Sequence, residues 1–129
     1  ATKNGHICIW KVSDNFDGEQ IMLSKISGAH EMKAINAIAF YEPYLVTGAE
    51  DKVVAFYDIQ KLCVKRLGNG RSQRLIGHPG PIYGISFDPT GKLLATCAED
   101  CSVRVWNLAS RVALRKFENR QDDSWKQAL

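Results

Sequence analysis

The segment LLATCAEDCSVRVWNL, residues 93–108, alternates apolar with other side chains, breaks at Glu99-Asp100, and alternates again into Trp106. A period of two with a turn in the middle reads as two antiparallel strands joined by a hairpin. The pattern extends in both directions. AINAIAFY (34–41) and PIYGISFD (81–88) read as first strands, YLVTGAE (44–50) and LLATCAE (93–99) as second strands, and VVAFYDI (53–59) and SVRVWNL (102–108) as third strands. EQIMLSKI (19–26), KLCVKRL (61–67) and RVALRKF (111–117) are candidate outer strands. FDPTGK (87–92) places Pro and Gly at spacings suited to a tight turn. Helical periodicity is confined to SWKQAL near the end of the sequence, which is too short to form a helix on its own.

These elements repeat. LVTGAEDKVVAFYDI (45–59) aligns with LATCAEDCSVRVWNL (94–108) so that Thr47 meets Thr96, Asp51 meets Asp100 and Tyr57 meets Trp106. A Gly-Ala-His stands upstream of the first copy, at His30, and a Gly-His upstream of the second, at His78. KNGHICIWKV is a third, truncated copy, with Asn4 in the aspartate slot and Trp10 six residues later. Self-similarity at roughly 40–50 residues, built from short strands, indicates a repeat architecture.

The run GH…SFDPTGKLLATCAEDCSVRVWNL resembles a WD40 repeat, and the resemblance extends over nearly the whole chain. It implies an all-β fold, a β-propeller with four-stranded antiparallel blades. The expected division is 1–12 as the end of a truncated blade, 19–59 and 61–108 as two blades, and 109–129 as an outer strand of the next blade plus a tail. About two and a half blades cannot close a ring of roughly four to eight. The chain is therefore expected to be part of a larger propeller, with the remaining blades supplied by the same parent chain or another. Four positions depart from the family pattern, and the first, Tyr57 of Tyr57-Asp58, stands where the family usually has tryptophan and makes the 19–59 blade degenerate. Lys52 and Cys101 stand where a glycine normally follows the turn aspartate, and Asn107 stands where the second full copy would carry its terminal aspartate. If the glycine slots need positive φ, each substitution costs on the order of 1 kcal/mol.

The resemblance further implies two structural hydrogen-bonded sets: His30, Thr47, Asp51 and Tyr57, and His78, Thr96, Asp100 and Trp106. A carboxylate out of water needs donors, and an imidazole can pass such a chain on to a hydroxyl. A Thr/His/Asp set is also the composition of a catalytic triad, but a nucleophile must be exposed in a cleft. These threonines fall inside central strands, and the set occurs twice, so the reading is structural and non-enzymatic. Cys97 and Cys101 flank a turn with no second cysteine pair, so free thiols are expected rather than a metal site. GNGRSQ (68–73) lacks the Lys-Ser/Thr of a phosphate loop. No cofactor is implied.

The net charge of +3 conceals an uneven distribution. Residues 1–58 sum to −3 and residues 88–129 to +1, whereas residues 59–87 hold five bases and no acid. Those bases are Lys61, Lys65, Arg66, Arg71 and Arg74, with Arg111, Arg115, Lys116 and Arg120 able to extend the same edge. They give the alternative functional reading, an RNA-contacting subunit of a ribonucleoprotein, with salt-dependent phosphate contacts. The basic block holds no aromatic residue to stack on bases. No apolar run approaches a membrane span of ~18–20 residues. The first residues lack a signal-peptide layout, and four cysteines without a disulfide framework suit the cytoplasm or nucleus.

The preferred reading is a protein-interaction scaffold within a multi-subunit assembly. By resemblance, partner-binding positions on one end of the blades map to Lys33, Ile35 and Glu50, and to Pro81, Tyr83 and Glu99, with Tyr83 the foremost candidate. The arginine that the family's ubiquitin-ligase adaptors carry after the terminal aspartate is replaced here by Ser13, Gln60 and Ala109, which argues against recruitment to such a ligase through these blades.

Overall fold

A computed structural model describes residues 3–12, 20–27, 29–60 and 73–118. It contains ten strands: β1 (Ile7–Val12), β2 (Gln20–Ile26), β3 (Ile35–Tyr41), β4 (Tyr44–Ala49), β5 (Val53–Asp58), β6 (Gln73–Ile76), β7 (Ile82–Phe87), β8 (Leu93–Ala98), β9 (Ser102–Asn107) and β10 (Val112–Glu118). Within each sheet, strands adjacent in sequence pair antiparallel, as short connections favour. The result is three successive sheets, β1-β2, β3-β4-β5-β6 and β7-β8-β9-β10. Among the described residues none closes on another to form a ring. This all-β arrangement is that of a partial WD40 propeller.

The sheets run out of phase with the repeat units read from the sequence. Units 19–59 and 61–108 each begin with an outer strand, but an outer strand bonds to the open edge of the strand before it. β2 therefore pairs with β1, β6 with β5, and β10 closes the third sheet on β9 rather than starting another. The outer strand of the middle sheet is Gln73–Ile76, where KLCVKRL had been expected. That heptapeptide lies outside the described residues. The register of β6 sets Leu75 opposite Val54 in the core and leaves Arg74 and Ile76 exposed.

Packing follows from the order of the sheets. The middle sheet has a neighbour on each face, so β4 and β5 are buried on both. Leu45, Ala55 and Tyr57 pack with Ile7 and Ala29 toward the first sheet. Val46, Val54, Phe56 and Leu75 pack with Ile82, Leu94, Ala98 and Trp106 toward the third. β8, with one sheet neighbour, alternates instead, burying Leu94, Thr96 and Ala98. Gly48 lets these sheets meet, because an added Cβ would run into the Ile82 side chain and come within 2.9 Å of Ile85.

Turns at both ends fix the strands. In the hairpin after β4, Lys52 N–H donates to Ala49 C=O (3.2 Å) and Lys52 adopts φ 69°. After β8, Cys101 N–H donates to Ala98 C=O (3.1 Å) with φ 60°. Both residues occupy the left-handed region in the slots that Gly5 fills, at φ 70°, in the truncated copy. At the opposite end Asp88 accepts from the N–H groups of Leu93 (2.9 Å) and Thr90 (3.3 Å), and Tyr41 donates to Pro89 C=O at 3.3 Å. Asn107 closes the next turn, its Oδ1 accepting from Ala109 N–H (2.9 Å) and Ser110 N–H (3.1 Å). An amide at that position makes both bonds, so the departure from aspartate does not cost the turn its acceptor.

Two substitutions test this account in opposite directions. Gly48→Ala should destabilise the intact protein by about 1–3 kcal/mol, the cost of overpacking a close contact between sheets. Lys52→Gly should stabilise it by about 0.5–1 kcal/mol through relief of left-handed strain, less the added freedom of the unfolded chain. Denaturant titration of both variants checks the signs, and a neutral Gly48→Ala would contradict the close approach.

Candidate functional site: a buried relay beneath a loop surface

Two histidines are buried beneath the loops at one end of the sheets. His30 lies before β3 and is completely buried. Its Nε2 lies 2.7 Å from Thr47 Oγ1 in β4, and its Nδ1 lies 3.0 and 2.9 Å from the two carboxylate oxygens of Asp51. The polarity that satisfies every partner has Thr47 donating to Nε2 and Nδ1–H donating to Asp51. Asp51 in turn accepts from Val53 N–H at 3.1 Å. The Tyr57 hydroxyl donates to Ala29 C=O at 3.5 Å, joining β5 to the residue before the histidine.

The second set is wired differently. Trp106 Nε1–H donates to Thr96 Oγ1 (2.9 Å), and Thr96 donates to His78 Nε2 (2.6 Å). His78 Nδ1 is 3.8 Å from Asp100, too far for a direct bond. Ser102 fills the gap: it accepts from His78 Nδ1–H at 3.3 Å and donates to Asp100 at 2.7–2.8 Å. The hydrogen bonds thus run one way, from indole through hydroxyl and imidazole to a second hydroxyl and the carboxylate. In the first set the position of Ser102 is held by Val53, which has no hydroxyl, and there the imidazole reaches the aspartate directly.

Electrostatics keeps the second imidazole neutral. Burial, reinforced by the Arg104 charge and opposed by Asp100, holds His78 below its ordinary value of 6.5. At Asp100 burial acts upward, but the hydroxyl and N–H of Ser102, with the charges of His78 and Arg104, outweigh it and hold the carboxyl below 3.8. Neither threonine is placed as a nucleophile. Both are buried, at 0% and 1% exposure, and each hydroxyl is already committed to an imidazole. Among the described residues no three His, Cys, Asp or Glu side chains converge as metal ligands. No helix there is long and apolar enough to cross a membrane.

Above this frame lie the loop residues singled out from the sequence. Glu50 and Glu99 are exposed in equivalent places, their N–H groups bonded to Ala34 C=O (3.0 Å) and Pro81 C=O (2.9 Å). Those bonds make Ala34 the counterpart of Pro81. Ile35 opposite Ala49 then matches Ile82 opposite Ala98, and Asn36 matches Tyr83. Counting a fixed distance from each histidine misaligns the two by one residue. The loop after His30 is one residue longer and passes through Glu31 and Met32, both at positive φ. Lys33 is exposed, whereas Ile35 is half-buried against the first apolar cluster. Tyr83 sits at the register shift between Ile82 and Gly84 and is 55% exposed. Asn36, at the equivalent shift, donates to Ile82 C=O at 3.1 Å and links the two sheets.

Of the basic block, Arg74 is exposed on β6, while Lys61, Lys65, Arg66 and Arg71 lie outside the described residues. Neither Ser102 nor Asn36 is among the residues that the family resemblance implies. A polar residue two places after Asp100, where the other copy has valine, is the trace that Ser102 leaves in the sequence.

The family model for "WD domain, G-beta repeat" matches residues 70–107, which hold the Ser102-bridged relay and the loop of Tyr83. Over those residues the chain carries a WD40 repeat. It is similar to the "SAGA complex/transcription factor TFIID complex subunit Taf5" of Schizosaccharomyces pombe, 46% identical over 43 residues, 33% of this chain and 7% of that protein. It is also similar to the "Transcription initiation factor TFIID subunit 5" of Encephalitozoon cuniculi, 27% identical over 79% of this chain and 19% of that protein. A third relative is the "Anaphase-promoting complex subunit cdh1" of Dictyostelium discoideum, 29% identical over 81% of this chain and 12% of that protein. The chain spans 7–19% of the length of these relatives.

The relay sets a pH dependence. The folded-state value of His78 lies below its unfolded value, so its contribution to stability is complete above about 6.5 and is lost as pH falls toward the folded value. Asp100, also depressed, contributes above 3.8 and loses that contribution on further acidification. Both act in one direction: the melting temperature should fall below about pH 6.5, and His78→Gln should have the shallower slope between pH 7.5 and 5. Ser102→Val, which leaves Nδ1–H and the carboxylate without their bridge, should cost about 1–3 kcal/mol. Melting curves across that pH range test both statements, and a Ser102→Val variant as stable as the parent would overturn the bridge.

Proposed function

We propose that the chain is a non-catalytic scaffold, part of a larger propeller acting inside the cell within a multi-subunit assembly. Its loop end makes the contacts, through Tyr83 with Pro81, Glu99, Glu50 and Lys33 around it. The observation that carries this reading is Tyr83: a large, half-exposed aromatic held on a register shift in the strand that follows the buried His78. A rigid amphipathic ring presented this way loses little entropy on docking, and such residues anchor interfaces. Asn36, its counterpart, is tied into the neighbouring sheet instead, so the two loops are not interchangeable. The names of the Taf5, TFIID and anaphase-promoting-complex relatives are names of subunits, which supports a role inside an assembly.

The test is quantitative affinity purification of the full-length protein carrying Tyr83→Ala. Loss of a partner by tenfold or more, with an unchanged melting temperature, is the expected outcome. Recovery of every partner at parental yield would remove Tyr83 from the interface and this reading with it.

A further inference from the structure

The loops that follow the two histidines are held down differently. The loop after His30 closes on itself, with Lys33 N–H donating to His30 C=O at 2.7 Å. The loop after His78 runs through Pro79, Gly80 and Pro81 into β7 and Tyr83. Its two prolines remove two backbone donors. Among the described residues, the segment is therefore tied down by Glu99 N–H on Pro81 C=O (2.9 Å) and by the buried imidazole at its start. Gly80 lies against the same turn, since a Cβ there would stand 3.3 Å from Glu99 Cβ and 3.4 Å from the Asp100 amide nitrogen. The position of the Tyr83 loop thus depends on the bonds of His78 to a degree that its counterpart does not depend on His30.

The two imidazoles also meet a proton differently. In each, Nδ1 already carries a hydrogen, so a second proton goes to Nε2, which then donates to the threonine oxygen and leaves the threonine hydroxyl without its acceptor. Thr96 Oγ1 already takes the Trp106 N–H, so it would face two donors while its own hydrogen stays buried and unpaired. At His30 the new charge would lie 2.9 Å from the Asp51 carboxylate. At His78 the Asp100 carboxylate stands 3.8 Å away, with Ser102 between them. Arg104 on β9 and Lys116 on β10 both oppose a positive charge there. Glu99 is exposed beside Asp100, and Arg111, in the turn before β10, lies over Phe56. The middle-sheet side chains packed across the boundary, Val46, Val54, Phe56 and Leu75, carry no charge. Ala55 takes the place of Arg104 in the middle sheet, opposite Thr47 as Arg104 is opposite Thr96.

We propose that His78 is an acid-sensitive latch on the Tyr83 loop: a proton taken from solvent at Nε2 frees residues 79–83 from the β8–β9 turn, while the loop after His30 stays closed. The closed loop holds the imidazole neutral and the open loop returns it to its ordinary value of 6.5, so opening is promoted only as pH falls below 6.5. One proton can promote it by at most about tenfold per pH unit. The consequence for binding rests on the reading of Tyr83 as an interface anchor, because a loosened loop must be ordered again when a partner docks. The release itself requires no partner.

Amide hydrogen exchange of the full-length protein at pH 7.5 and 5.5, corrected for intrinsic rates, reads both loops in one sample. Opening of residues 80–84 should rise about five- to tenfold at pH 5.5, and that of residues 31–37 less than twofold. His78→Gln should abolish the rise. Arg104→Ala removes a charge that opposes the imidazolium and installs the middle sheet's residue, so it should cut the rise to less than half. No rise, an equal rise in both loops, or an undiminished rise in Arg104→Ala would overturn the latch. Affinity purification at the two pH values reads the interface separately. The partners that Tyr83→Ala loses should also be lost by the parent at pH 5.5 and better retained there by Arg104→Ala. Full retention by the parent while the loop opens would overturn the control of binding. If Tyr83→Ala loses no partner, the interface reading fails and the exchange result still decides the latch.

Discussion

A hydroxyl donated to a buried imidazole, at 2.7 Å in one sheet and 2.6 Å in the next, joins the middle of a strand to the loop that precedes the sheet. Each part of that arrangement requires the others. Thr47 and Thr96 lie in central strands where an unpaired hydroxyl would be costly. The imidazole satisfies the hydroxyl only if its other nitrogen finds an acceptor, which comes from the hairpin aspartate. One chain of bonds therefore fixes the incoming loop, the second strand and the turn to the third, and a β-sheet pattern alone would leave their register open to slippage. The loop surface above is positioned by this relay, because Glu50 and Glu99 directly precede the aspartates that terminate it.

The two copies show how much freedom the relay allows. With Val53 the imidazole reaches its aspartate directly; with Ser102 the carboxylate stands back and a hydroxyl spans the distance. Tyr57 and Trp106 are equivalent in sequence, yet the phenol donates to Ala29 C=O while the indole donates to Thr96. The constraint is that every buried donor and acceptor be matched, and more than one set of side chains meets it. That tolerance explains why Lys52 and Cys101 can sit in a left-handed slot: the turn beside them is held by Asp51 and Asp100 through the N–H groups of Val53 and Ser102.

The inner strands were legible because alternation, turn residues and repetition all point to the same boundaries, and the structure places β3–β5 and β7–β9 within a residue or so of that reading. The middle sheet's outer strand was not. KLCVKRL and the QRLI of β6 alternate equally well, and an outer strand with one neighbour leaves too weak an apolar signature to choose between them. The grouping of strands into sheets was hidden for a related reason: a sequence repeat may be cut anywhere along its period, whereas hydrogen bonding closes a sheet only at its true edge. At the loop surface the failure was one of counting. Distance from a histidine is a poor ruler when Glu31 and Met32 can take an extra left-handed step, and it equated Ile35 with Tyr83 when the sheet register equates Asn36 with Tyr83.

Comparison of the copies also separates frame from individuality. Positions that agree in role (His30 and His78, Thr47 and Thr96, Asp51 and Asp100) form the relay, and a family resemblance finds them readily. Positions that differ while the backbone stays equivalent are where this chain departs from a generic blade. Asn36 bridges two sheets where Tyr83 is exposed, and buried Ala55 corresponds to Arg104, whose Nε has no hydrogen-bond partner among the described residues. Stability alone favours the Asn36 and Ala55 solutions, since each leaves no polar group unpaired and no large apolar surface in water. The third sheet carries the costlier alternative at both places, one on the loop surface and one at the sheet boundary. Of the two, the exposed Tyr83 ring is the one open to a partner, and a cost that the neighbouring copy shows to be avoidable is the physical reason to look for binding there first.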